Sequence, residues 1–343
     1  MPSTHLARPR IVICGTGRFG GLVTRFAVEK GWPVVAAFNR SGNKIGQDLG
    51  RVAGLGRDLG IVVQDCDTAS YDKLDADIGV VAQTNFLSEN LPTYRRLMNA
   101  GLNVACHGTE SYYPVGCDPV IASEIDALAK KNRVTFTGSG IWDMSRIWSG
   151  ILVTAPCTEI KSIFHRSITD MKGQATKEQS RQWGIGLTVA EWKAKGFEHN
   201  RLYQSYKTIP EHVLAAIGYT VTNTRVYVEP VVFDVPFESD LMECVIPAGY
   251  AVGMRSVGEI DTAEGVTGRI ETEGRLFKSG EIEHMFWSVN GKPATRIRVE
   301  RDDSAHATAS NIFNRLPQIV AAPPGIVLVS QLGPMQHTAR IHA

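Results

Sequence analysis

The chain has 343 residues, 43% of them hydrophobic, and a formal net charge of +1. That length favours two domains. The near-neutral balance, without long basic or acidic runs, argues against nucleic acid or an anionic membrane surface as a partner. No apolar stretch reaches membrane-spanning length, and the opening MPSTHLARPR lacks the apolar core of a signal peptide.

The first predicted element is a buried strand, Ile11 to Cys14. Gly15, Gly17 and Gly20 follow it as G-x-G-x-x-G. Phe19, Leu22, Val23 and Phe26 then recur at helical spacing. Strand, glycine turn and helix together form a dinucleotide-binding context. Gly15 permits the tight turn, Gly17 admits a pyrophosphate, and Gly20 lets the helix pack on the strand. The candidate cofactor contacts in this turn are Gly15, Thr16, Gly17, Arg18, Phe19 and Gly20. The next apolar run, Pro33 to Phe38, ends in Asn39-Arg40-Ser41. An NAD enzyme usually carries an acid here for the ribose 2′-hydroxyl. Asn39 removes that negative charge, Arg40 can grip a 2′-phosphate, and Ser41 and Lys44 add a donor and a positive charge. The predicted cofactor is NADP(H), with NAD as a weaker alternative.

A helix is expected around Ile45 to Ala53 and a third strand at Ile61 to Val63. The fourth strand, Ile78 to Ala82, ends in Gln83-Thr84-Asn85. Thr84 and Asn85 are candidate cofactor contacts; a helix cap with Ser88 is the competing role. The next helix carries Leu87, Leu91, Tyr94, Leu97 and Met98 on one face. Strand five, Asn103 to Cys106, leads into His107-Gly108-Thr109-Glu110. A helix from Pro119 to Lys131 turns Val120, Ile121, Ile125 and Leu128 inward, and Arg133 to Thr137 is the sixth strand. Such alternation means a doubly wound parallel sheet, a Rossmann α/β domain over residues 1–150.

Beyond Gly150 the pattern changes. Glu159 to Thr169 alternates as a strand, helical patches occupy Thr176 to Gly196, and Glu211 to Ile217 reads as a short helix. Strands then dominate: RVYVEPVVF, GYAVGMRSVGEI, GVTGRIETEGRLF, EHMFWSVNG and ATRIRVERD. The last alternates strictly, with one solvated face. Residues 151–305 therefore read as an α+β substrate and dimerisation domain. A closing helix and tail span 306–343, and a return of the helix to the first domain is the expectation.

The six cysteines (Cys14, Cys66, Cys106, Cys117, Cys157, Cys244) form no C-x-x-C pair, and the nine histidines show no metal-binding spacing. Buried free thiols in a reducing cytoplasm are expected, and no metal.

In an open α/β sheet the ligand crevice lies past the carboxyl ends of the strands. Two loops converge there, His107 to Pro114 and Gly138 to Trp148. Glu110 can hold a cation or move protons on nitrogen; capping its own loop or a surface salt bridge are the structural alternatives. His107 is a rival acid–base group. Asp143 can orient the loop or touch substrate. Tyr112, Ile141, Trp142, Met144 and Ile147 suit an apolar substrate pocket, while Trp148, Tyr203, Tyr206, Phe286 and Trp287 fit core packing at least as well.

Four stretches carry a family resemblance: GTGRFG, GLNVACHGTESYYP, IPAGYAVGMR (Ile246 to Arg255) and HATASNIFNRLPQIVAAPPGI (His306 to Ile326). Together they resemble the 2,4-diaminopentanoate dehydrogenases and related native amine dehydrogenases, of dihydrodipicolinate-reductase-like architecture. The resemblance implies an NAD(P)-dependent, typically dimeric enzyme that aminates ketones reductively with ammonia, or oxidises amines in reverse. A glutamate after the fifth strand is the catalytic carboxylate there, and Glu110 matches it. Ser111 stands where the diaminopentanoate enzymes carry a second acid. Ile141-Trp142-Asp143 replaces an Asn-Pro-Gly-like turn. Both departures favour a small aliphatic or cyclic ketone or aldehyde over a diamino acid. The HHR-type motif of true dihydrodipicolinate reductases and the Glu-Lys-Pro of sugar oxidoreductases are absent. An NADP-dependent alcohol or hydroxy-acid dehydrogenase and a non-catalytic NADPH sensor are the alternative functions.

Overall fold

The glycine turn sits at the centre of a parallel sheet in the computed structural model, which describes residues 8–72, 74–172, 175–335 and 337. The start of the opening MPSTHLARPR and the end of the expected tail lie outside the described residues. The chain forms two compact units, one up to Met144 together with the segment from Asp303, the other Ser145–Asp302. Sequence texture put these divisions at 150/151 and 305/306.

In the first unit the strands are β1 (Ile11–Cys14), β2 (Val34–Asn39), β3 (Val63–Asp65), β4 (Ile78–Val81), β5 (Asn103–Cys106) and β6 (Thr135–Gly138). The helices between them are α1 (Arg18–Glu29), α2 (Leu49–Val52), α3 (Leu87–Asn99), α4 (Pro114–Cys117) and α5 (Pro119–Asn132). The fully buried β1 and β4 need no alternation, because both faces of the sheet are covered. Val12 and Cys14 join the α3 side with Leu87, Tyr94 and Leu97. Ile11 and Ile13 join the α1 side with Val23 and Ala27.

The second unit contains α6 (Ser149–Thr154), β7 (Glu159–Asp170), α7 (Lys177–Gln182), α8 (Val189–Ala194), α9 (Arg201–Ser205) and α10 (Thr208–Ala216). It continues with β8 (Val221–Val232), β9 (Phe237–Ser239), β10 (Cys244–Ile246), β11 (Ala251–Thr262), β12 (Thr267–Arg275), β13 (His284–Lys292) and β14 (Thr295–Glu300). Its sheet has the order β14-β13-β7-β12-β11-β8. Only the β7–β12 pair in it is parallel. Helix α6 packs on β13 and β14, and α10 on β12.

The chain then returns to the first unit as α11 (Ser304–Val320), which packs on α1, and β15 (Gly325–Ile326), which pairs with β6. The first sheet is thus seven-stranded, in the order β15-β6-β5-β4-β1-β2-β3. Sequence periodicity finds six of these strands; β15 is too short to show a period.

Other expectations shift. The helix expected at Ile45 to Ala53 shortens to α2, because Asp48 caps it through the Gly50 amide at 2.7 Å and the residues before it form turns. Strand three starts at Val63 rather than Ile61. Val120, expected inward, is 79% exposed; Ala122 and Ala129 take the buried face of α5 with Ile125. Cys14, Cys66 and Cys106 are buried, whereas Cys244 is exposed.

Two histidines are buried in the second unit, His165 and His212. Burial lowers both, His212 to about 3 and His165 well below its ordinary value. The unfolded chain takes up protons near pH ~6.5 while the folded unit stays neutral, so stability is full above that pH and falls below it. The melting temperature is therefore expected to be level between pH 8 and 7 and to drop between about pH 6.5 and 5. A flat profile in differential scanning fluorimetry across that window would contradict it.

Candidate dinucleotide and catalytic site

Two of the three motif glycines are dictated by the polypeptide itself. Gly15 has φ +96°, and a Cβ there would lie 2.5 Å from the Ala82 carbonyl oxygen. A Cβ on Gly20 would lie 1.9 Å from the Gly15 oxygen. Gly17 is different. It is the N-cap of α1 at φ −73°, a conformation open to any residue. Among the described residues, nothing lies within 4 Å of where its Cβ would project. No side chain caps the N-terminus of α1, and its first turn has no acid. Beside it, the buried Thr16 hydroxyl has no partner among the described residues. An open cradle at a helix N-terminus fits the pyrophosphate of a dinucleotide.

The end of β2 holds this turn. The Thr16 amide donates to Asn39 Oδ1 at 2.8 Å, and Lys44 Nζ donates to the Thr16 oxygen at 2.8 Å. Arg40 and Ser41 are exposed next to it. Lys44, expected as a further charge for the cofactor, here fixes the loop. At the end of β3, Asp65, Cys66 and Asp67 gather, but the Arg96 guanidinium already pairs with Asp67 at 2.7 Å.

The loops after β4 and β5 are stapled together. Thr84 is engaged with Asn90, whose Nδ2 donates to the Thr84 oxygen at 2.9 Å. The Thr84 hydroxyl in turn accepts from the Phe86 amide at 3.3 Å. Asn85 Oδ1 accepts from the Thr109 hydroxyl at 3.0 Å, and its carbonyl accepts from the Glu110 amide at 3.0 Å. Glu110 is only 4% exposed, and its Oε2 accepts from the Leu87 amide at 2.8 Å. It thereby caps α3, not the loop it belongs to. A carboxylate at a helix N-terminus is favoured by the helix dipole and by the amide it satisfies. His107, the first residue beyond β5, is half-buried against Phe19.

Of the expected pocket residues, Tyr112 and Trp142 stack with ring centroids 4.8 Å apart. Ile141 is half-buried and Met144 49% exposed. These four belong to the first unit; Ile147 lies in the second, fully buried. Asp143 opens a π-helix, Asp143–Trp148, and is completely buried. Its Oδ2 accepts from Arg315 Nε at 3.0 Å and from the Ser139 hydroxyl at 3.0 Å. Burial pushes the Asp143 carboxyl up to about 6, and the guanidinium restrains the rise. Asp143 thus orients its loop. Arg315 was not singled out from the sequence, although it lies at helical spacing among Ile312, Leu316 and Ile319.

Within the second unit a cavity of about 190 Å³ is lined by Trp183, Tyr203, Tyr206, Met171, Leu202, Asn200, Thr169, Thr272, Glu273 and Gly274. Tyr203 and Tyr206, expected chiefly to pack, line it. The Arg146 guanidinium lies 5.4 Å from the Tyr206 ring centre and donates to Ser167 at 3.2 Å. Trp287 is buried and donates to the Arg146 carbonyl at 2.9 Å. Only the alternation of β7 and β12 hints at Thr169 and Thr272 in the sequence.

A parallel sheet with a phosphate-ready helix end, followed by a mixed-sheet unit, defines the architecture of nicotinamide-dependent dehydrogenases. No family model matches the chain. Over 94% of its length it is 25% identical to the 2,4-diaminopentanoate dehydrogenase of Acetoanaerobium sticklandii, covering 92% of that protein. The amine dehydrogenase of Mycobacterium smegmatis superposes with a TM-score of 0.85 at 27% identity, over 97% of this chain and 98% of that one. The 4-hydroxy-tetrahydrodipicolinate reductase of Archaeoglobus fulgidus is 40% identical over 70 residues, 20% of this chain and 24% of that one. More distant solved structures share the fold alone, among them complexes with NAD and with NADP+. The chain thus resembles amine-specific dehydrogenases along nearly its whole length, as its motifs imply.

The glycines give a direct test. Gly20→Ala should destabilise the protein by ~1–3 kcal/mol or prevent folding. Gly17→Ala should fold within about 1 kcal/mol of wild type yet lose dinucleotide binding, measured by thermal melts and fluorescence titration. Normal dinucleotide affinity in Gly17→Ala would remove the turn from the cofactor site.

Proposed function

We propose that this protein is an NAD(P)-dependent amine dehydrogenase that reductively aminates small aliphatic or cyclic ketones and aldehydes with ammonia, and oxidises amines in reverse. The observation that carries the proposal is the buried Glu110 carboxylate, anchored by one oxygen to the Leu87 amide, in a chain similar throughout to dehydrogenases acting on amines.

The dinucleotide lies over Gly15 to Gly20, with Thr16, Arg18 and Phe19 along it. Thr84 and Asn85 contribute backbone groups, since their side chains are engaged with Asn90 and Thr109. NADP(H) is favoured because Asn39 leaves the ribose site uncharged while Arg40 and Ser41 remain exposed beside it. When bound, the nicotinamide supplies or accepts the hydride.

Glu110 does the proton work. With Oε2 fixed by the Leu87 amide, the carboxylate holds ammonium by a hydrogen bond and takes one of its protons, freeing the ammonia that attacks the carbonyl carbon. It relays a proton from the added nitrogen to the oxygen, giving the neutral carbinolamine, and then gives the proton taken from ammonium to that hydroxyl, which leaves as water. The remaining iminium carries a positive charge that the carboxylate stabilises. Tyr112 and Trp142, with Ile141 and Met144, supply apolar walls that exclude water. Phe164, Tyr227 and Phe286, interleaved with Arg166, Arg255 and Glu229, mark one sheet face of the second unit. Apolar groups among balanced charges suit a second copy, so the reading includes a homodimer. Free thiols at Cys14, Cys66 and Cys106 suit a reducing cytoplasm.

Glu110→Gln is expected to lower ammonia-dependent turnover about 10²–10⁴-fold while leaving NADPH affinity near wild type. Retained turnover, read as NADPH consumption with short ketones and ammonium, would refute the role. Arg40→Ala is expected to weaken NADPH about tenfold or more and spare NADH. Equal loss of both in titrations would point to NAD instead.

A further inference from the structure

His107 and Phe19 come from different elements and meet across a third. His107 follows β5, Phe19 is the second residue of α1, and β4 lies between β5 and β1 in the sheet. Their rings touch edge to face, with centroids 4.7 Å apart at 69°. The contact stands on the opposite side of β1 from Asn39 and Arg40, where strand order reverses. A dinucleotide crossing Gly17 with its adenosine towards β2 must send its other nucleoside this way.

The imidazole Nδ1 is buried and finds no hydrogen-bond partner among the described residues. A proton there would have no acceptor, so the neutral ring carries its proton on Nε2. Burial pushes the ring down to about 4, so it is uncharged at neutral pH. An uncharged N–H donor suits a hydroxyl better than a phosphate, and it cannot act as the cationic acid that a rival of Glu110 would need to be.

We propose that His107 is a positioning residue for the cofactor, donating through Nε2–H to a ribose hydroxyl of the nicotinamide half while Phe19 fixes its ring from the side. The assignment rests on the dinucleotide reading of the glycine turn and is independent of the amine chemistry.

The test is a binding experiment. NADPH and NADH are titrated into wild type, His107→Ala and His107→Gln by nicotinamide fluorescence, with ADP and adenosine 2′,5′-bisphosphate followed by calorimetry. Melting temperatures confirm folded variants. His107→Ala should weaken the tighter-binding dinucleotide about tenfold, as for one lost hydrogen bond, and leave the adenosine fragments within about twofold. His107→Gln, whose amide N–H reaches to a similar distance, should recover most of the loss. Unchanged dinucleotide affinity in His107→Ala, a parallel loss for the adenosine fragments, or a glutamine no better than alanine would overturn the proposal. Wild type that binds neither dinucleotide would overturn the cofactor reading itself, a result no variant comparison can mimic.

Discussion

The hydrogen bond from the Leu87 amide to Glu110 joins the architecture to the proposed chemistry. A carboxylate that is 4% exposed needs a donor, because an ionised group without one is costly to bury. The start of α3 supplies it. That arrangement is possible only because β4 and β5 are parallel neighbours, so both following loops leave the same end of the sheet. Asn85 then ties the loops together through the Thr109 hydroxyl and the Glu110 amide. The same end receives the glycine turn from β1. A single sheet edge thus holds the helix end suited to phosphate, the imidazole beside Phe19 and the acid.

What the sequence reveals about this edge is what local geometry writes into it. The glycine turn is legible because strand, turn and helix are contiguous and the sterics at Gly15 and Gly20 tolerate no side chain. The buried strands show as apolar runs because helices cover both faces. Glu110 is visible as a position but not as a helix cap, since its partner lies 23 residues earlier. Thr84 and Asn85 illustrate the same limit: their place past β4 is readable, but their bonds to Asn90 and Thr109 are not. Arg315 stands on the apolar stripe of α11, a conflict that only Asp143 resolves. Val120 fails for the opposite reason, since a helical period identifies a stripe without saying where its edge falls.

In the second unit, alternation identifies the strands better than it identifies their faces. Arg166, Arg255 and Arg275 surround Glu273, which is buried and held below the ordinary carboxylate range by these cations. Its strand neighbours Thr272 and Gly274 line the cavity, and Glu273 contributes to that lining as well. One strand thus serves an ionic network and a partly apolar hollow at the same place.

The return of α11 and β15 to the first unit has a consequence for biosynthesis. Ala309, Phe313 and Leu316 complete the layer over Ile11, Ile13 and Val80, yet more than two hundred residues separate the two halves of that layer. On the ribosome, the middle of the protein is therefore finished before the beginning can be. A nascent chain carries an uncovered greasy surface until α11 emerges.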